Sequence, residues 1–124
     1  FAARKPWRPA REVIDWTNGT GSDVASGDVV AVGQILGVAL VDIASTATGS
    51  VQITGVFTVP KVSGAVIAAG ESLTWDVSVA KFDDNAAVPA TGDITLGAAV
   101  AFEAAGNGVT SMAVKFTGVP GTET

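Results

Sequence analysis

Residues 50–60 read SVQITGVFTVP, and Lys61 follows at once. Val51 and Ile53, then Val56 and Thr58 beyond a glycine, set up a two-residue alternation, the pattern of a strand with one face buried. Gly55 interrupts it where a bulge or a close backbone approach fits, and Pro60 ends it, because proline cannot donate to a ladder. The stretch reads as one core strand of a small all-β domain.

Toward the N-terminus, Ile35–Ile43 (ILGVALVDI) reads as an apolar strand bent at Gly37, and Val29–Val32 as a shorter one punctuated by Gly33. Glu12–Thr17 (EVIDWT) sets Ile14 and Trp16 against Val13, Asp15 and Thr17, and the turn residues Asn18–Ser22 close this first strand. The small polar residues Ala44–Gly49 fit a loop joining hairpin strands. Toward the C-terminus, Ala65–Gly70 fits either a short strand or one helical turn. Glu71–Val79 (ESLTWDVSV) alternates, with Leu73, Trp75, Val77 and Val79 on one face. Lys81–Val88 reads as an acidic turn or hairpin tip, and Ile94–Phe102 (ITLGAAVAF) as the next strand. Val109–Phe116 (VTSMAVKF) closes the domain with Met112, Val114 and Phe116 on one face. About seven to eight short strands at roughly 10–15-residue spacing predict a small β-barrel or sandwich. Its body spans residues 12–117, between an extended basic arm at 1–11 and a loose tail at 118–124.

A length of 124 residues fits one domain. Hydrophobic residues make up 48%, but much of that is Ala and Val, and 15 glycines favour short strands and tight turns over long helices. No apolar run of about 18 residues occurs, and the basic N-terminus runs into Pro6-Trp7-Arg8-Pro9, which does not read as a signal peptide. Without cysteine there are no disulfides or thiolate metal sites, a composition that fits a cytosolic origin and is equally tolerated by an extracellular particle. Without histidine there is no serine–histidine triad and no typical zinc site.

The net charge of −5 is unevenly distributed. Arg4, Lys5, Arg8 and Arg11 lie within the first eleven residues, whereas the rest of the chain sets Lys61, Lys81 and Lys115 against all twelve acids. Such an acidic body repels nucleic acid and anionic membranes. The arm, FAARKPWRPAR, carries prolines that disfavour helix, so it does not fold alone. Two readings of it stand: a solubilising tail, or an arm docking on a neighbour with Trp7 as anchor and the basic residues pairing acidic surface.

No GxxxxGK[ST] phosphate loop, H-E-x-x-H or G-x-S-x-G occurs, and no lysine follows a glycine. Asp83-Asp84, with Asp76 nearby, is the closest approach to a carboxylate pair, but turns favour Asp and Asn for their backbone angles and capping. Lys61 and Ser63 are neighbours, yet a strand-to-turn lysine is expected to be solvated and so unactivated. Trp16 and Trp75 suit sugar stacking or core packing. No enzyme, cofactor or metal site is expected.

Several segments in order, VASGDVV at 24–30 with Gly33 after it, ILGVA at 35–39, VQITGVFTVPK at 51–61, AGESLTWD at 69–76 and LGAAV at 96–100, resemble the phage capsid-cement (head decoration) proteins, a family often mislabelled as RecA/RadA-like recombinases. The absent ATP-binding loop argues against that label. The resemblance covers about residues 12–117. It implies a β-barrel-like domain on the outer surface of the virion capsid, made in the host cytoplasm. It also implies a homotrimer at three-fold or quasi-three-fold positions that clamps major capsid subunits, with neither nucleic acid nor membrane as partner. The arm before Glu12 departs from the family's usual pattern. A rival expectation from another class is a surface-exposed host- or glycan-binding β module that uses Trp16, Trp75 or the loops.

Overall fold

In the computed structural model, which describes residues 12–124, the stretch at 50–60 forms two strands where the alternation predicts one. The strands are β1 (Val13–Thr17), β2 (Val29–Val32), β3 (Ile35–Ala39), β4 (Thr48–Gln52), β5 (Thr54–Pro60), β6 (Thr74–Asp76), β7 (Lys81–Asp83), β8 (Ile94–Thr95), β9 (Ala99–Ala101), β10 (Ser111–Thr117) and β11 (Thr122–Glu123). Among the described residues there is no helix, and the domain is all-β as the sequence predicts.

Ile53 is the joint between β4 and β5, which belong to different sheets. Gly55 adopts a φ of 119°, a conformation open to glycine at no steric cost. The Gln52 side chain fills the space beside it, donating from Nε2 to the Thr54 carbonyl at 2.7 Å. The change of sheet reverses the expected phase. Val59 is buried and Phe57 partly so, whereas Val56 and Thr58, expected inside, face out. Lys61 continues the inward series and is fully buried.

Three antiparallel sheets result, ordered β1-β4-β3-β2, β5-β10-β9 and β11-β8-β6-β7. None closes on itself into a barrel. Isolated bridges from Ser72 to Val100 and from Lys61 to Phe82 join the second and third sheets around one core. That core gathers Val59, Trp75, Phe82, Ile94, Met112, Val114 and Phe116, with Leu36 and Val38 contributed by the first sheet. Phe116 packs edge-on against Phe57 and Phe82 at centroid separations of 5.8 and 5.9 Å, and Trp75 lies 4.8 Å from Phe82. Such pairs add about 0.5–1.5 kcal/mol each beyond area burial. The first sheet has a smaller core of Val30, Ala39, Ile43 and Val51, lined by Ile14 and Trp16. Gly37 permits β3 to lie close against β4, since a Cβ there would sit 2.6 Å from Val51 Cγ1 and 2.8 Å from the Gln52 carbonyl.

Residues 94–102 are also divided, and with additional strands at 81–83 and 122–123 the count rises to eleven. Residues 94–102 break at Leu96 (φ 60°) and Gly97 (φ 89°), so β8 and β9 enter different sheets. Of residues 71–79 only Thr74–Asp76 pair as β6; Leu73 and Trp75 are buried as predicted, whereas Val77 and Val79 lie in an exposed turn. The segment at 65–70 is neither helix nor named strand, but Ile67 bridges Ala105. Lys81–Asp83 is a strand rather than part of a turn, and it places Phe82 in the core. Within residues 118–124, expected to be loose, Thr122 and Glu123 pair with β8 and Gly121 donates to the Gln34 carbonyl at 2.9 Å.

The phase of β5 is testable. Val59→Ala removes buried methyls from the main core and should cost about 2 kcal/mol in urea unfolding, whereas Val56→Ala should stay within about 0.5 kcal/mol of the parent. Equal effects, or the reverse order, would contradict the inward series through Lys61.

Candidate partner-binding surface

The residues singled out for partner binding, Arg4, Lys5, Trp7, Arg8 and Arg11, lie outside the described residues. Their point of attachment is described. Glu12 donates its backbone N–H to Thr54 Oγ1 at 3.2 Å, and its carbonyl accepts from the Ile53 N–H at 2.9 Å. The body thus begins at the joint where β4 becomes β5.

The body's charge is more one-sided at its surface than in its sequence. Lys61 is buried, so among the described residues the exposed cations are Lys81 and Lys115. Asp23, Asp28 and Asp42 line an open hollow beside Val24 and Ala25. Each carboxylate there also shapes a loop: Asp23 accepts from the Ser45 N–H at 2.9 Å, Asp28 from Ala25 at 3.0 Å and Asp42 from Ser26 at 2.8 Å. The Asp28 contact is local, whereas those of Asp23 and Asp42 tie together loops 22 and 16 residues apart.

Asp83 and Asp84 follow the same logic. Asp83 Oδ1 accepts from the Asp84 N–H at 2.8 Å, Asp84 Oδ1 from Ala86 at 3.0 Å, and neighbouring Glu71 from Asn85 at 2.9 Å. Neither aspartate lines the adjacent hollow formed by Ser72, Thr74, Asn85, Pro89 and Leu96. Asp93 is a buried carboxylate absent from the sequence-derived candidates; it accepts from Val77 and Ala90 at 3.1 and 2.8 Å and so holds its loop. Among the described residues, no group of three or more carboxylates has the arrangement of a metal site.

Lys61 overturns an expectation. It is not solvated, and its Nζ reaches the Ser63 backbone carbonyl at 3.5 Å while closer carbonyls belong to Val62, Gly106 and Val109. No lysine–serine nucleophile pair is formed in this geometry. In the phase read from Val56 and Thr58, position 61 faces outward; with Val59 buried, Lys61 occupies the next inward position. The two indoles part company as well. Trp75 is 4% exposed and packed on Phe82, closed to a sugar ring, while Trp16 is half-buried against the small core.

What remains at the surface is a β body dominated by carboxylates that organise loops, with a basic segment attached at one joint. A family model for phage cement proteins matches residues 8–116. The chain belongs to the phage cement protein family. The match spans the described strands from β1 to nearly the end of β10 and extends into the arm as far as Arg8. No curated protein matches the chain. Family membership assigns this cement protein a structural, capsid-associated role.

The burial of Trp75 is open to a direct check. In a Trp7→Phe, Trp16→Phe variant the remaining indole should emit at short wavelength and resist acrylamide several-fold better than in urea. Emission and quenching like those of the unfolded chain would place Trp75 at the surface and restore it as a stacking platform.

Proposed function

We propose that this cement protein is a non-enzymatic decoration protein that binds the outer surface of the phage head as a homotrimer and stabilises contacts between major capsid subunits. The family match over residues 8–116 carries the reading. The chemistry of the body is in keeping with it: carboxylates accept from loop amides, and the main core takes up Trp75. Symmetric assembly multiplies a modest contact by repetition, so such a protein needs a stable body and an exposed attachment rather than a reactive group.

The arm is the proposed attachment, with Arg4, Lys5, Arg8 and Arg11 pairing acidic surface and Trp7 as apolar anchor. The neighbour is a capsid subunit or another copy of the chain. Two bodies bearing an excess of carboxylates repel each other, and the basic arm supplies the opposite sign. The glycan-binding alternative loses one of its two indoles to the core.

Deleting residues 1–11 should leave unfolding of the body within about 1 kcal/mol of the parent, since both hydrophobic cores are assembled from residues 14–116. Occupancy of the truncated protein on expanded capsids should fall at least tenfold, and attachment of the full chain should weaken as salt rises from 50 to 500 mM. Undiminished occupancy of the truncated protein would overturn the arm's role. Absence of density at local three-fold positions in a reconstruction of decorated particles would overturn the trimer.

A further inference from the structure

Lys61 is the one fully buried charged side chain among the described residues. Its Nζ donates to the carbonyls of Val62 at 2.8 Å, Gly106 at 3.1 Å and Val109 at 3.1 Å, with Ser63 at 3.5 Å beyond them. An ammonium has three N–H donors and no acceptor, so three carbonyls satisfy it in full. No carboxylate of the described residues takes part in this set; the positive charge is met by backbone dipoles, in the manner of a coordinated cation.

The carbonyls come from two loops far apart in sequence. One follows β5 at residues 62–63, and the other precedes β10 at residues 106–109. Backbone bonds join the same loops around the ammonium: Gly108 donates to the Ser63 carbonyl at 2.7 Å, Lys61 to Thr110 at 2.9 Å, and Ile67 and Ala105 exchange bonds at 2.8 and 2.9 Å. Side chains near this junction are small, as Ser63, Gly64, Gly106, Asn107 and Gly108 attest, so apolar packing contributes little to holding it. Val62, Ala65, Ile67 and Ala105 anchor it to the main core.

We propose that Lys61 is an internal cationic clasp that fixes residues 62–64 and 106–109 as one unit, which opens as one unit when the ammonium is removed. Replacement by a neutral chain leaves these buried carbonyls without their donor, an unfavourable state relieved by moving the loops out to water. The clasp acts at the end of the β5–β10 ladder, not along it, so the two loops should loosen together while the first sheet stays closed.

The full chain tests this by hydrogen exchange in the parent and in Lys61→Met, which keeps an unbranched chain without the charge. Peptides covering residues 61–67 and 104–110 should exchange at least tenfold faster in the variant, with those covering 13–17 and 48–52 unchanged. Unchanged protection at both loops, or acceleration spread evenly along the chain, would overturn the clasp. Should the variant not fold, the parent suffices. The Lys61 ammonium should give a slowly exchanging ¹⁵Nζ signal at neutral pH, with scalar couplings to carbonyl carbons of Val62, Gly106 or Val109. A rapidly exchanging signal without such couplings would overturn the proposal.

Discussion

A charge without a counter-charge sits in the interior of this protein, and much of the main core is arranged so that it can. Moving an ammonium out of water is costly unless its protons are all taken up. Lys61 meets that condition with carbonyls from Val62, Gly106 and Val109. Three consequences follow for the chain. β5 has to bring position 61 inward, the turn before β10 has to present two carbonyls to one point, and Phe82 has to bridge Lys61 along the backbone so that the third sheet abuts the second. The aromatic group of Phe57, Phe82, Phe116 and Trp75 lies in the space bounded by these strands.

The second organising device is the change of sheet at Ile53. By passing from the first sheet to the second within one residue, the chain builds two cores from a single hydrophobic stretch, with Val51 in the smaller and Val59 in the larger. β3 couples them, since Leu36 and Val38 face the main core and Ala39 the smaller one. A similar switch between β8 and β9 uses Leu96 and Gly97 at positive φ. Short strands that change partner let a chain poor in large side chains enclose apolar volume from several directions.

This is also where sequence reasoning succeeds and where it stops. The alternation at 13–17, the valines at 29–32 and the series Met112, Val114, Phe116 report burial directly, because each strand has one face on a core throughout its length. Alternation does not report which sheet a strand joins. Residues 50–60 and 94–102 therefore read as continuous strands, although each changes sheet within its length. The burial of Lys61 was hidden for a related reason: lysine is rarely fully buried, so composition argues against it, and only the phase set by Val59 argues for it. The family resemblance carried the capsid-associated role, since nothing in spacing or composition points to a capsid. The docking role expected of residues 1–11 rests on charge and composition alone, since they lie outside the described residues.

Charge partition links this architecture to assembly. Aspartates serve the fold locally: Asp23, Asp28, Asp42, Asp83, Asp84 and Asp93 each accept from a backbone amide in a loop. A protein of many short strands has many such loops, so it accumulates carboxylates for reasons of backbone geometry alone. The accumulated charge then opposes bringing copies together on a lattice, most strongly at low ionic strength. Among the described residues, Lys81 and Lys115 are the exposed cations, and they leave most of that charge unbalanced. In the proposed attachment, the basic residues at 1–11 supply the opposite sign for a neighbour's acidic surface. On the proposed reading, the basic residues at 1–11 complement a carboxylate excess that the loops themselves call for.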